Sequence, residues 1–193
     1  MDLATSDPHD TRRFAAALAG LLEPGDLVSL TGELGAGKTC VAQGVAAALG
    51  VTEPVTSPSF LLRRDYAGRV PLVHLDVYRL ETLEEVLDTG WLDAADEAVV
   101  LVEWGDAVQP LLPADHVEVE LALADPASVP SELGAPEPRR VRVRAHGPRW
   151  AARRDELHAV LAPWRNERRV AAGRGGRADD GGSRNRAAPE GSD

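Results

Sequence analysis

The stretch Gly32-Glu33-Leu34-Gly35-Ala36-Gly37-Lys38-Thr39 constrains this chain more than any other, because it fully matches the phosphate-binding pattern G-x-x-x-x-G-K-[ST]. The pattern carries weight only between a strand and a helix, and both neighbours are present. Leu27 to Thr31 is a short apolar run that reads as a buried strand, and CVAQGVAAALG from Cys40 reads as a helix stopped by Gly50. Glycines at 32, 35 and 37 permit turns and close approaches that a Cβ would block. Backbone N–H groups can then cradle a β-phosphate, and the helix starting near Lys38 turns its positive dipole end on the same anion. Lys38 can bridge the β- and γ-phosphates, and the Thr39 hydroxyl can ligate Mg²⁺. Lys38 is the only lysine in the chain. The fold class that follows is α/β and P-loop NTPase-like: a central, mostly parallel sheet flanked by helices.

A phosphate loop needs a second element, an apolar strand ending in an acid that holds Mg²⁺ directly or through water. Two strands qualify: PLVHLD ends at Asp76 and VVLVE ends at Glu103. The residues alone leave open which acid holds the metal and which handles the attacking water. Trp104, next to Glu103, reads as an aromatic wall beside the nucleotide, with a core anchor as the alternative. His74 reads as a packed strand histidine and Tyr78 as core. Arg79 either reaches phosphate or pairs with Glu81 or Glu84.

Around these elements the pattern predicts a first helix from Thr11 to Leu22, capped by Asp10 or Thr11 and ended by Pro24-Gly25-Asp26. Phe60 to Tyr66 and Val70 to Asp76 form a predicted strand pair, and ETLEEVLDTG a short helix ending at Gly90. Two later strands alternate: Val117, Val119, Leu121 and Leu123 on one, Val141 and Val143 on the other. Paired antiparallel, they would set Glu118 and Glu120 against Arg140, Arg142 and Arg144. Ala124 to Pro138 is a Pro-rich surface loop, and Trp150 to Trp164 a closing helix. From Arg165 onward there is no periodicity and no aromatic residue, which predicts a disordered Arg- and Gly-rich tail. The domain reading is one P-loop unit over residues 1–164 and a tail over 165–193.

Composition excludes several classes. With 44% hydrophobic residues the chain needs no metal or disulfide to build a core, and its one cysteine, Cys40, fits a reducing compartment. The N-terminus is acidic rather than signal-like, and no apolar run approaches the roughly 18 residues of a membrane span. The expected location is cytoplasmic, with no membrane partner. Net charge is −10. From Arg165 onward seven arginines face five acids, so the first 164 residues hold 14 basic and 26 acidic groups, a net of −12. Such a body repels a phosphate backbone, so any nucleic-acid role runs through other proteins.

GELGAGKT, SPSF at Ser57 to Phe60, HLDVYRL at His74 to Leu80 and LVEW at Leu101 to Trp104 together resemble the bacterial TsaE (YjeE) family. Its members are the ATPase component of tRNA threonylcarbamoyladenosine biosynthesis. The resemblance implies a small P-loop α/β fold, with which the antiparallel strand pair near the C-terminus is compatible. It implies that Leu34, Gly35, Ala36, Gly37, Lys38, Thr39 and Cys40 bind ATP, with Thr11 beside the adenine, and that Thr39 and Glu103 ligate Mg²⁺. SPSF would be a first switch loop and HLDVYRL a second, with Asp76 needed for hydrolysis. The implied partners are TsaD and TsaB, which modify adenosine 37 of tRNA, so that tRNA is met only indirectly. ATP hydrolysis would reset that ternary complex and would be weak without it. Ser59 stands where the family often has threonine, and the segment beyond Trp164 has no counterpart. The rival readings are a small-molecule kinase using the same loop and a module that binds ATP without useful turnover.

Overall fold

Three strands in which every residue is buried, β2 (Leu27–Thr31), β4 (Leu72–Asp76) and β5 (Val99–Glu103), form the centre of the protein. Uninterrupted apolar strands of this kind belong where both sheet faces are covered. The computed structural model describes residues 1–59, 61–80, 82–124 and 138–165. Four further strands are β1 (Asp2–Thr5), β3 (Arg63–Tyr66), β6 (His116–Leu123) and β7 (Arg139–His146). The sheet runs β1-β7-β6-β2-β5-β4-β3. Neighbours among β6, β2, β5 and β4 are parallel, and the outer pairings with β3, β7 and β1 are antiparallel. The mostly parallel sheet predicted from the phosphate loop is therefore present.

Side-chain alternation assigns the two faces. Val28, Leu30, Val99, Leu101, Val119 and Val143 join a core with helices α1 (Pro8–Ala19) and α2 (Lys38–Ala48). Leu27, Val73, Leu75, Val100 and Val102 point the other way. They pack with α3 (Leu83–Asp88), α4 (Trp91–Ala94) and the 3₁₀ segment Gly105–Leu111. β6 and β7 pair as their alternation requires: Arg144 binds Glu118 at 2.7 Å and Glu120 at 2.8 Å, and Arg142 reaches Glu120 at 3.4 Å. These pairs are half-exposed and favour register more than stability.

Several predicted boundaries move. The first helix begins at Pro8, not Thr11, because the Asp7 carboxylate accepts the Asp10 N–H at 2.8 Å and proline suits the first helical position. The preceding residues form the edge strand β1, which the polar N-terminal text did not suggest. The closing helix is broken at Arg153 into α5 (Gly147–Ala152), α6 (Arg154–Val160) and a 3₁₀ turn, Ala162–Trp164. Trp164 docks on α1 edge-to-face with Phe14, and its indole N–H donates to Asp10 at 2.9 Å. Residues 125–137 of the predicted loop, and the predicted tail beyond Arg165, lie outside the described residues. Among the described residues no helix is long and apolar enough to cross a membrane.

The packing of α1 on α2 fixes the helix that carries the phosphate loop. At Gly44 a Cβ would lie 2.5 Å from the Arg12 carbonyl oxygen and 2.7 Å from the Ala15 Cβ. Gly44→Ala gains helix propensity but must push α1 away, so a net loss of about 1–2 kcal/mol is expected. It would be read as a lower urea midpoint with an unchanged slope.

Candidate functional site

Of the predicted nucleotide-binding and metal-binding residues, Lys38, Thr39, Asp76, Glu103 and Trp104 meet at the C-terminal ends of β2, β4 and β5. The loop from β2 to α2 holds its shape through glycine. Gly32 has φ +134 and packs so closely on β6 that a Cβ would strike the Leu121 carbonyl oxygen, and Gly37 caps α2 from the left-handed region at φ +109. No side chain caps α2, which leaves its first-turn N–H groups for an anion. Leu34 and Gly35 form the tip, with Leu34 81% exposed and open space around Gly35.

Lys38 opens α2 and is buried. Its Nζ donates to the carbonyls of Gly32 at 2.6 Å and Glu33 at 3.0 Å, and lies 3.5 Å from the centroid of the Trp104 ring. Burial lowers its pKa from the ordinary lysine value, and the charges of Glu103, Asp76 and Asp106 oppose that shift. The ammonium is thus held between backbone oxygens, an indole face and carboxylates, all groups that a phosphate can replace or complement.

Asp76 and Glu103 are directly paired in the parallel β4–β5 register and are both buried. This juxtaposition was not legible before the strand order was known. Thr39 Oγ1 donates to Glu103 Oε2 at 3.3 Å. His74 Nε2 meets Glu103 Oε1 at 3.0 Å. Asp76 has different partners. Its Oδ2 accepts the hydroxyls of Ser57 at 2.5 Å and Ser59 at 2.6 Å, and its Oδ1 accepts the Tyr78 N–H at 3.1 Å. The segment from Ser57 and the turn after β4 therefore converge on one carboxylate. Phe60, the last residue of that quoted segment, lies outside the described residues.

Both strand-end acids are flanked by backbone in the left-handed region. Leu62, whose carbonyl accepts the Asp76 N–H at 3.0 Å, has φ +64, and Trp104 has φ +63. Non-glycine residues hold such angles only when their surroundings enforce them. At Trp104 the turn sets the indole against Lys38, and the Tyr78 ring packs on the same indole at 4.6 Å between centroids, tilted by 36°. Tyr78 is 56% exposed, so its predicted place in the core is corrected: β4 has ended, and the chain turns outward. Arg79 lies exposed in that same turn.

Thr11 and Cys40 lie where α1 begins beside α2. Thr11 is buried, with its hydroxyl 2.8 Å from that of Thr5 and 3.0 Å from the Asp7 carbonyl it donates to. The Cys40 thiol donates to the Pro8 carbonyl at 3.2 Å, and burial pushes its pKa up against the nearby Arg12 and Arg139. Arg139, at the start of β7, donates from Nε to the Ala36 carbonyl at 3.0 Å. That link between β7 and the phosphate loop spans 103 residues and left no local signal in the sequence.

The residues present suit Mg²⁺. Among the described residues no group of three or more His, Cys, Asp or Glu side chains could hold a metal ion. What the site offers instead is one hydroxyl and one carboxylate oxygen 3.3 Å apart. Two hard oxygen donors, with the other positions left to phosphate and water, match the way this ion is usually held at about 2.1 Å.

A family model described as Threonylcarbamoyl adenosine biosynthesis protein TsaE matches residues 5–128. A curated relative from Treponema pallidum, named tRNA threonylcarbamoyladenosine biosynthesis protein TsaE, is 42% identical over 127 residues, covering 65% of this chain and 94% of the relative. One of the same name from Streptomyces coelicolor is 39% identical over 146 residues, covering 72% and 93%. The crystal structure of Bacillus subtilis YdiB matches with a TM-score of 0.64 at 30% identity, over 82% of this chain and 94% of that one.

Proposed function

The chain belongs to the TsaE family, and from there we propose that it is a Mg²⁺-dependent ATP hydrolase of tRNA threonylcarbamoyladenosine biosynthesis. It hydrolyses ATP in a ternary complex with two protein partners, TsaD and TsaB, and meets tRNA only through them. The observation that carries this reading is the side-by-side placement of Asp76 and Glu103 in front of Lys38 and Thr39. Two acids in different hydrogen-bonding environments suit two different tasks.

The uncapped first turn of α2 and the loop amides bind the triphosphate. Lys38 leaves the Gly32 and Glu33 carbonyls to bridge the β- and γ-phosphates. Thr39 and Glu103 hold Mg²⁺, which when bound neutralises charge developing across the phosphate oxygens. Asp76 orients the attacking water, once the Ser57 and Ser59 hydroxyls release an oxygen lone pair to it. Thr11 and Cys40 line the nucleoside end. The acidic body supports a division of labour in which the partners, not this chain, grip the tRNA.

The direct test is phosphate release from ATP with and without the TsaD–TsaB pair, together with modification of adenosine 37. The expected result is weak release alone, several-fold stimulation by the partners and modification that requires all three. Transfer of phosphate to a small acceptor, with no effect of the partners, would replace this reading with the kinase.

A further inference from the structure

We infer that His74 is a positioning residue for Glu103: it holds the carboxylate in the orientation from which the other oxygen faces Thr39 and the metal. The inference rests on the reading above, and it concerns a residue that neither phosphate-loop chemistry nor the strand-end acids require.

His74 lies on β4 two residues before Asp76, on the same face of the sheet. Its register partner is Leu101, two residues before Glu103, so the imidazole leans forward along the strands to reach the acid on β5. The ring is wholly buried and the Glu103 side chain only 4% exposed. Glu103 thus has one oxygen on His74 at 3.0 Å and the other on Thr39 at 3.3 Å. A carboxylate accepts and does not donate, so Nε2 carries the hydrogen of the first contact. Nδ1 has no hydrogen-bond partner among the described residues.

That orphaned nitrogen is the informative feature. Leu72 on the same strand and Val99 and Leu101 on β5 lie beside His74, all buried, and a leucine in its place would bring no ring nitrogen to satisfy, at the cost of the partner of Glu103 Oε1. A buried polar atom without a partner is unfavourable, so a histidine kept only for packing is a poor choice. Among the described residues, the hydrogen bond that distinguishes histidine from leucine at this place is the one to Glu103. Groups behind metal ligands fix ligand orientation in this way, and their loss typically lowers metal affinity by about 10- to 100-fold.

The test separates metal coupling from general damage to the site. A non-hydrolysable β,γ-imido analogue of ATP is titrated calorimetrically into the full chain, once with Mg²⁺ and once with EDTA. In the wild type Mg²⁺ tightens binding by a measurable factor. His74→Leu, which keeps the layer apolar and filled, is expected to bind the analogue normally in EDTA but to lose about 10-fold or more of that Mg²⁺-dependent gain. His74→Gln can present an amide N–H near the place of Nε2 and is expected to recover most of it. An unchanged gain in His74→Leu overturns the inference. Equal weakening with and without Mg²⁺, or a folded His74→Gln no better than His74→Leu, overturns it as well, since the role would then be packing. If the wild type itself binds the analogue no tighter with Mg²⁺ than with EDTA, it is the Mg²⁺-dependent hydrolase reading that fails, and the inference with it.

Discussion

Lys38→Ala is expected to weaken ATP binding by roughly 30- to 1,000-fold, the equivalent of about 2–4 kcal/mol for one or two charge-assisted hydrogen bonds to phosphate. The size of the effect follows from a lack of substitutes. No other lysine exists in the chain, the nearby carbonyls and carboxylates cannot donate to a phosphate, and the indole N–H carries no positive charge. Lys38→Arg is expected to rescue little. The guanidinium is wider than an ammonium and would have to enter a seat in which Nζ lies 2.6 Å from one carbonyl and 3.5 Å from a ring centroid. Titration with a fluorescent ATP analogue measures the loss, and circular dichroism establishes that the variant is folded. Wild-type affinity in folded Lys38→Ala protein would refute the proposed grip on the triphosphate.

Asp76→Asn separates hydrolysis from binding. Asparagine keeps the shape of the side chain and one oxygen to accept the Ser57 and Ser59 hydroxyls, so the two converging segments retain an anchor. It cannot orient and deprotonate water as a carboxylate does. The expected result is ATP affinity within about 3-fold of wild type and a loss of about 10²- to 10⁴-fold in partner-stimulated hydrolysis, the usual contribution of such a group. Modification of adenosine 37 is expected to fall with it. Normal modification despite lost hydrolysis would mean that ATP acts by occupancy alone, the view in which the chain is a binding module.

Much of the fold was legible because short-range rules dictate it. β2, the glycine loop and α2 follow one another within 22 residues, and each declares itself by apolar content, glycine spacing or a stop signal. β5 is exactly as long as the VVLVE run, and β6 and β7 carry complementary charges on alternating positions. Legibility failed where a feature was too short or depended on distant residues. β1 has four residues, too few for periodicity to show, and gains its place by pairing with β7 some 140 positions away. Tyr78 follows an apolar strand and reads as core from the sequence. Only the turn enforced by Asp76, which accepts its N–H, sends it outward.

The amino-acid order by itself determined that a strand–loop–helix unit built for a phosphate exists here, and that two apolar strands end in acids, since backbone conformation and hydrophobic pattern are local properties. The tertiary structure alone decided that β5 lies between β2 and β4, bringing Asp76 beside Glu103, placing the Trp104 ring against Lys38 and giving His74 an acid to hold. Strand order is set by which non-local pairings bury the most apolar surface while satisfying the backbone, a competition across the whole sheet that no single segment encodes.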